Sequence, residues 1–199
     1  DSAALCISTG DKVFVTLAAG SENTLSNGGS ISDTVDGAVF SKQDLTFNGE
    51  GSLTVESPAG HGIVCKDDLA ITSGSYSIHA ASHGVDVNDS FRMKAGAIQV
   101  DAGKDGIHAE DNENPETGFV YISGGKLDIE AKGDGISSAF TMQLGGAPIG
   151  ILAGGGHTNG PSHSSGEMGG GPGGPGGPGM GNPPRPRIVA TTEESGTSM

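Results

Sequence analysis

The sequence predicts an all-β fold, a three-sided parallel β-helix followed by a tail rich in glycine and proline. The first observation is a repeated unit that opens on a glycine preceded by Asp or His, with starts 22 to 29 residues apart. The second is that each unit holds three short runs of alternating apolar and polar residues, the pattern of strands. The third is that only 33% of 199 residues are hydrophobic while 37 are glycine, which favours a narrow core.

Five copies of the unit define the predicted coils. They begin at Asp36, His61, His83, Asp105 and Asp134. In the second copy the three runs are Ile63-Val64-Cys65, Leu69-Ala70-Ile71 and Tyr76-Ser77-Ile78. No copy has room for a helix of about ten residues, so leucine-rich and helical solenoids fit poorly. Crossovers between parallel strands are almost always right-handed, which predicts a right-handed β-helix.

Stacking the coils about 4.8 Å apart places equivalent residues above one another and predicts the inward columns. The first side contributes Ala4, Ala38, Ile63, Val85, Ile107 and Ile136, then Cys6, Phe40, Cys65, Val87, Ala109 and Ser138. The second side contributes Val13, Leu45, Leu69, Phe91 and Val120, then Val15, Phe47, Ile71, Met93 and Ile122. The third side contributes Leu53, Tyr76, Ile98 and Leu127, then Val55, Ile78, Val100 and Ile129.

The two cysteines, Cys6 and Cys65, fall in one inward column but two coils apart, about 10 Å on the coil spacing. That separation is too large for a disulfide. We therefore predict two free, buried thiols, which indicate nothing about the redox compartment.

The composition changes after the last coil. We assign residues 1–153 to the β-helix and residues 154–187 to a Gly/Pro-rich segment in an extended or polyproline II conformation. Residues 188–199 form a short C-terminal segment that we expect to be able to add a strand to a neighbour. Three Gly-Gly-Pro triplets between Gly170 and Pro178 are too few to secure a collagen triple helix.

The formal net charge of −14 excludes nucleic acid as a natural partner and favours divalent cations. The absence of Trp and the presence of only two Tyr argue against a flat aromatic platform for sugar rings or bases. No stretch approaches the roughly 20 apolar residues that span a bilayer, so we predict no membrane insertion. Because the chain begins at Asp1 without an initiator Met, we expect a mature product or a fragment.

Carboxylates recur at the predicted corner between the third strand of one coil and the first strand of the next. The candidate calcium ligands are Asp86, Asp101, Asp105, Asp128, Glu130 and Asp134. Calcium takes six to eight oxygen ligands in flexible geometry and would relieve the repulsion of crowded carboxylates. The alternative is that Asp-Gly pairs serve only as turn residues.

Two other polar sets have less specific interpretations. The histidines His61, His79, His83 and His108 could suggest zinc, but we interpret them as hydrogen-bonding turn residues. A second acidic column follows the first strand of each coil, and its members are Asp44, Asp67 or Asp68, Asp89, and Glu110 or Asp111. We interpret this column as turn capping, partly neutralised by Lys42 and Lys66.

A calcium-dependent lyase needs a metal that acidifies the proton beside a uronate carboxylate and a basic Arg or Lys that removes it. Arg92 is the only arginine before the tail, and its predicted outward direction leads away from the acidic corner. We therefore predict no catalytic activity.

The sequence resembles a family of secreted bacterial proteins described as carbohydrate-binding domain-containing, which are right-handed β-helices similar in shape to pectate lyases. The resemblance rests on "DKVFVTLAAGSENTLSNGG" (11–29), "GEGSLTVES" (49–57), "GKDGIHAEDN" (103–112) and "VYISGGKLDIEAKGDGI" (120–136), and it covers roughly residues 3–156. It implies calcium at stacked aspartates and binding of plant-type polysaccharides. Asp105, His108 and Asp134 match the family's turns, whereas His61 and His83 stand where an acid would be a better ligand.

Three functions follow from these observations. The first is an extracellular, non-catalytic β-helix that binds calcium and, by resemblance, polysaccharide at the cell surface. The alternative is a structural subunit of an extracellular filament, because a β-helix that starts within a coil at Ala3 exposes a strand edge to which the last coil of another copy can pair. The third is a degenerate polysaccharide lyase.

Overall fold

A computed structural model describes residues 3–29, 31–154 and 187–190, the last four by their backbone alone. The chain winds through three parallel sheets, and each strand pairs with the equivalent strands of the coils before and after it. The predicted three-sided parallel β-helix is thereby confirmed. The described part of the chain contains no helix that could span a bilayer.

The strands alternate among the three sheets in chain order. The first sheet contains β1 (Leu5–Ile7), β4 (Gly37–Ser41), β7 (His61–Cys65), β10 (Val85–Val87), β13 (Ile107–Ala109) and β16 (Ile136–Ser138). The second contains β2 (Lys12–Leu17), β5 (Asp44–Gly49), β8 (Asp68–Ile71), β11 (Ser90–Met93), β14 (Phe119–Ile122), β17 (Thr141–Leu144) and β19 (Arg187–Ala190). The third contains β3 (Glu22–Ser26), β6 (Ser52–Ser57), β9 (Ser75–Ala80), β12 (Ala97–Ala102), β15 (Lys126–Ala131) and β18 (Ile149–Leu152).

The core is the interior of the coil, and the second and third sheets build it from the predicted columns. Leu45, Leu69 and Phe91 stack in one column, as their strand registers show, and all are buried. Across the interior the rings of Phe47 and Tyr76 meet edge to face with centroids 5.7 Å apart. Each large apolar side chain that is fully buried in this way contributes roughly 1.5–3 kcal/mol.

In the first two strands of the first sheet, the observed register differs from the predicted one by one residue. Val39 pairs with Ile63 and Ser41 with Cys65, so Ala38 and Phe40 do not lie in the inward columns. The observed columns are Leu5, Val39, Ile63, Val85, Ile107 and Ile136, then Ile7, Ser41, Cys65, Val87, Ala109 and Ser138. The cause lies in the first repeat unit: Ala38 stands between Gly37 and the inward residue Val39, whereas Ile63 follows Gly62 directly, so Gly37 and not Asp36 pairs with His61.

The shift changes the environment of one cysteine. Cys6 pairs with Phe40 on the outer face and is exposed, whereas Cys65 is buried, and both thiols are free. The prediction of free thiols is confirmed, but the predicted burial of Cys6 is wrong. A one-residue slip in a strand moves every side chain to the opposite face, which is why an approximate repeat was not sufficient.

The outer face of the first sheet is covered, unlike that of an ordinary solvent-facing sheet. Phe40 and Val64 lie on this face and pack with Val35 in a small apolar cluster outside the coil. Every residue of β4 and of β10 is buried, and in β7 only His61 is partly exposed. Side chains that project outward from this sheet therefore enter a partly desolvated environment.

The C-terminal assignments fall largely on residues outside the description. Residues 155–186 of the predicted Gly/Pro-rich segment and residues 191–199 of the C-terminal segment lie outside the described residues. Residues 187–190 form β19, which pairs in parallel with β17 of the same chain, Thr141 opposite Arg187.

Candidate functional site

The outer face of the third sheet carries polar side chains in rows that run along the helix axis. The central row is in register from coil to coil and consists of Thr24, Thr54, Ser77, Gln99 and Asp128. Two residues further along each strand a second row consists of Ser26, Glu56, His79, Asp101 and Glu130. With coils about 4.8 Å apart, each row presents one hydrogen-bonding side chain per coil.

Three shallow depressions lie on this face and follow the rows. One of about 280 Å³ is lined by residues that include Thr54, Ser77, Gln99 and Asp128. A second of about 300 Å³ lies beside Glu56 and His79, and a third of about 440 Å³ surrounds the carboxylates of Asp128 and neighbouring acidic residues. We call this face, with its two polar rows, the polar groove.

The side chains of the polar groove make few contacts with one another. Ser77 Oγ lies 3.0 Å from His79 Nε2, and His79 Nδ1 lies 3.9 Å from Asp101 Oδ2. Lys126 Nζ forms an ion pair with Asp128 Oδ2 at 2.7 Å, but both side chains are about half exposed, so the pair adds at most about 1 kcal/mol to stability. Most of the polar atoms in the groove therefore stay open to solvent and to a ligand.

A second polar cluster lies on the covered outer face of the first sheet. The rings of His61 and His83 are parallel, with centroids 5.0 Å apart, and the ring of His108 stacks on His83 at 4.7 Å. His61 is the first residue of β7, His83 lies in the turn before β10, and His108 lies in the middle of β13. We call these three side chains the histidine stack.

A carboxylate accompanies each ring of the histidine stack. Asp86 Oδ1 lies 2.8 Å from His108 Nδ1, Asp105 Oδ2 lies 3.3 Å from His83 Nδ1, and Asp36 Oδ2 lies 3.6 Å from His61 Nε2. Two further groups approach from the adjoining turn, since Lys66 Nζ lies 3.8 Å from Asp86 Oδ2 and 3.8 Å from Glu110 Oε1.

Burial and hydrogen bonding shift the pKa values of these groups in opposite directions. Burial lowers the pKa of His61 and of His83, so both rings are neutral at pH 7. The hydrogen bond with Asp86 raises the pKa of His108 in spite of its burial. Burial alone would raise the pKa of Asp86, but the bond to His108 and the positive groups around it lower that pKa on balance.

Two sets of three potential ligand atoms occur within the described residues. His61, His83 and Asp86 each offer one atom, and these atoms lie within 4.8 Å of one another; the same holds for Asp86, His108 and Glu110. The interpretation of these histidines as turn residues therefore missed a cluster. The sequence does carry a signal for this cluster. Two consecutive units begin with His-Gly, at His61 and His83, and the next unit has His108 two residues after its Asp-Gly pair.

The six predicted calcium ligands are divided among three places. Asp101, Asp128 and Glu130 lie in the polar groove, Asp105 and Asp134 lie in turns before the first sheet, and Asp86 lies in the cluster of the histidine stack. Within the described residues, no three of the six bring their oxygens within 4.8 Å of one another. The single acidic corner is not formed, because the outward side chains of different sheets point in different directions. Calcium binding itself stays a prediction.

One of the six performs the alternative role of a turn residue. Asp105 Oδ1 accepts a hydrogen bond from the backbone N–H of Asp134 at 2.7 Å, which ties two consecutive turns together. Arg92 lies on the outer face of the second sheet, in an ion pair with Asp68 at 2.7 Å and above the ring of Phe119 at 4.9 Å.

The hydroxyl and amide row of the polar groove was also missed by the sequence reasoning. Its members alternate with the inward columns in the third strand of each unit, as in "SLTVES", "SYSIHA" and "AIQVDA". The outward positions of strands that were already assigned would have identified them.

Comparisons with known proteins agree with this fold. A family model described as carbohydrate-binding domain-containing protein matches residues 1–195. A protein of that description from Acetivibrio thermocellus is 34% identical over 85 residues, which are 40% of this chain and 30% of that protein.

A solved structure of similar fold is that of the polysaccharide lyase-like protein from C. thermocellum, in its gadolinium derivative. The two structures agree with a TM-score of 0.73 and 33% sequence identity over 78% of this chain and 65% of the other. This chain thus spans less than a third of the length of the curated relative and just under two thirds of the solved one. With the family match extending over nearly its whole length, the chain belongs to the family of carbohydrate-binding domain-containing proteins.

Proposed function

We propose that this protein is an extracellular, non-catalytic β-helix that binds polysaccharide in the polar groove, with calcium at the carboxylates of that groove. The observation that carries the proposal is the row of hydroxyl and amide side chains, one per coil, along a face that also contains three depressions. The extracellular location rests on the resemblance to secreted bacterial proteins.

The chemistry of the groove suits a carbohydrate. Thr54, Ser77 and Gln99 offer hydrogen-bond donors and acceptors in register, at a repeat comparable with the size of a sugar ring. Tyr76 lies beneath this row but points inward and donates its hydroxyl to the Ser73 carbonyl at 2.7 Å, so it provides no stacking surface. Recognition in this groove would rest on hydrogen bonds along an extended polymer.

The carboxylates of the groove fit a hard cation. Asp101 and Glu130 are exposed neighbours on adjacent coils, with coil spacing of about 4.8 Å, and Asp128 lies in the same strand as Glu130. Calcium prefers such oxygen ligands and accepts incomplete protein coordination completed by water or substrate. The solved relative is a gadolinium derivative, and lanthanide ions, like calcium, favour oxygen ligands. A bound calcium would also let the acidic groove hold anionic uronates.

The basic residues near the groove support a non-catalytic role. A lyase base must stand beside the metal-bound uronate, but Arg92 lies on another sheet in contact with Asp68. Lys126 lies in the groove, where its ammonium is paired with Asp128. Formation of unsaturated uronate products from polygalacturonate would contradict this part of the proposal.

Polysaccharide binding is tested with a matched pair of surface substitutions. Thr54→Ala together with Gln99→Ala removes two hydrogen-bonding side chains from the groove, whereas Thr46→Ala removes the same side chain type from the outer face of the second sheet. At roughly 0.5–1.5 kcal/mol per hydrogen bond, the double variant should bind soluble glycans several-fold to a hundred-fold more weakly. Affinity electrophoresis on neutral and uronate polymers measures this, and equal binding by all three proteins would place the site elsewhere.

Calcium binding is tested separately by calorimetry. Asp101→Asn with Glu130→Gln should weaken binding of calcium by at least about tenfold, because two charged ligands are lost. Glu116→Gln removes an exposed carboxylate outside the groove and should leave the calcium affinity unchanged. If the wild-type protein binds glycan but no calcium, the result supports glycan binding in the groove and contradicts the calcium site.

A further inference from the structure

The cluster of the histidine stack contains a buried carboxylate whose charge is incompletely balanced. Asp86 is the one charged residue among the buried side chains of the described chain, with 5% of its surface exposed. A buried charge is costly unless it is paired closely. His108 provides one hydrogen bond at 2.8 Å, but Lys66 Nζ is 3.8 Å away, beyond hydrogen-bond distance. The second oxygen of Asp86 thus lacks a close cationic partner.

Two imidazoles stand beside this carboxylate with free ring nitrogens. His61, His83 and Asp86 offer three atoms within 4.8 Å of one another. Nδ1 of His61 is buried and has no hydrogen-bond partner among the described residues. Burial keeps both rings neutral, the form in which imidazole binds a metal.

Carboxylates behind these rings provide the arrangement usual for metal-bound histidines. Such a histidine donates its second ring N–H to a carboxylate or carbonyl, which fixes the tautomer and the ring orientation. Asp36 Oδ2 lies 3.6 Å from His61 Nε2 and Asp105 Oδ2 lies 3.3 Å from His83 Nδ1. Neither contact is a hydrogen bond, because the first is too long and His83 Nδ1 is buried without a hydrogen-bond partner. Reorientation of each ring would be needed to form these two bonds.

The donor set selects a class of metal. Two imidazole nitrogens and one carboxylate suit Zn²⁺ and neighbouring divalent transition metals, whereas calcium takes oxygen ligands. A divalent ion here would also offset the negative charges of Asp36, Asp86 and Asp105, which lie beside the three rings.

We propose that His61, His83 and Asp86 bind one divalent transition-metal ion of the zinc class on the outer face of the first sheet. Asp36 and Asp105 orient the two imidazoles, and His108 is a positioning residue that holds Asp86 by its hydrogen bond. Because His61 belongs to the coil of β7 and the other two ligands to the coil of β10, the ion joins two consecutive coils. This site does not depend on the calcium or polysaccharide of the proposed function.

Metal titration of the chelator-treated full chain tests the proposal, with ZnCl₂ in calorimetry and CoCl₂ in visible spectroscopy. The wild-type protein should bind one Zn²⁺, show the visible bands of tetrahedral Co²⁺, and retain binding in excess CaCl₂. His83→Gln should lower the Zn²⁺ affinity at least about tenfold and remove the cobalt bands. His61→Gln is the second variant with the same expected result, used if His83→Gln does not fold by circular dichroism.

Two controls separate this site from other histidines. His79→Gln removes a ring that also lies within 4 Å of an aspartate, Asp101, but belongs to no group of three ligands in the described structure, and it should leave the affinity unchanged. His157→Gln with His163→Gln removes the two tail histidines and should have no effect. The proposal would be overturned if the wild-type protein bound no stoichiometric Zn²⁺. It would also be overturned if the tail variant lost Zn²⁺ binding while His83→Gln and His61→Gln retained it.

Discussion

The two cysteines show how strongly the environment of a residue depends on which face of a strand it occupies. Cys65 lies in an inward column of β7 and is fully buried, and burial raises the pKa of its thiol to about 11. Cys6 projects from the outer face of β1 and is exposed. A thiolate is the reactive species, so the two thiols should differ greatly in reactivity.

We expect a thiol reagent such as iodoacetamide at pH 8 to modify Cys6 in the native protein and Cys65 only after unfolding. Mass spectrometry of peptides from native and guanidinium-treated protein measures the two extents. The Cys6→Ser variant is the control, and it should stay unmodified in its native state. Rapid native modification of Cys65 would show that the inward column opens on the labelling timescale.

At neutral pH, charged carboxylates in the second acidic column, which includes Asp67 and Asp89, destabilise the folded state. Burial raises the pKa of Asp67, and the neighbouring charge of Asp44 raises it further. Burial and then the charge of Asp67 raise the pKa of Asp89 in the next coil. A carboxyl whose pKa is raised on folding destabilises the folded state above that pKa, and the penalty disappears as pH falls toward the unfolded value of about 3.9.

Asp67→Asn should therefore stabilise the protein at pH 7 and make little difference near pH 3. The Asn side chain keeps an oxygen that can accept the hydrogen bond from the Asp68 N–H, so the main change is the loss of charge. Asp33→Asn removes the same charge from an exposed loop position and should change stability less. Thermal unfolding of the three proteins across this pH range provides the comparison; destabilisation at pH 7 by Asp67→Asn would contradict the expected sign.

At the scale of the strand, the glycines of the second, third and fourth Asp-Gly or His-Gly pairs have a packing role. A Cβ on Gly62 would clash with Ile78, one on Gly84 with Val100, and one on Gly106 with Ile129. In each case the clashing side chain comes from the third strand of the same coil. The glycine thus allows the third sheet to close against the beginning of the first.

Gly84→Ala should destabilise the protein by about 1–3 kcal/mol, the usual cost of overpacking. Gly150→Ala is the control, because its nearest atom is the far end of the Asp128 side chain at 2.9 Å, and neither glycine has a positive φ. The control should cost less than about 0.5 kcal/mol. Urea unfolding measures both, and equal values would show that the close approach at Gly84 relaxes easily.

At the scale of the whole molecule, the net charge of −14 acts against compactness. Stacked coils place like charges in columns only about 4.8 Å apart, and only part of them are paired with Lys or Arg. Salt screens such exposed charges with a Debye length of about 10 Å at 0.1 M.

We expect the melting temperature to rise by a few degrees as NaCl increases from about 10 mM to 0.5 M at pH 7. The same titration near pH 4, where many carboxylates are protonated, should give a smaller rise. A melting temperature that falls with salt at pH 7 would mean that attractive pairs, such as Arg92 with Asp68, outweigh the repulsion.

End-to-end assembly is also a property of the whole molecule and stays a prediction. Electron microscopy in calcium and after chelation distinguishes fibres from short isolated rods. Fibres that dissolve on chelation would assign calcium to assembly, and rods in both conditions would argue against the filament.

The approximate repeat was sufficient to predict the fold and most of the core. Columns such as Leu45, Leu69 and Phe91 follow from the period-two pattern and the coil length alone. The prediction for the first sheet was wrong at its first two strands, because one additional residue between Gly37 and Val39 shifts the register, and a repeat with coils of unequal length does not show where that residue lies.

The sequence by itself determined the coil, its parallel strands and the inward apolar columns, because these depend on local alternation and on a period that stacks equivalent residues. Only the tertiary structure decided which polar residues meet. The six acidic candidates separated onto different faces, while His61 and His83, from two unit starts, came into contact with His108, from a different position in the repeat. Outward side chains are not ordered by the core, so their contacts depend on the bend of each turn and the coverage of each face.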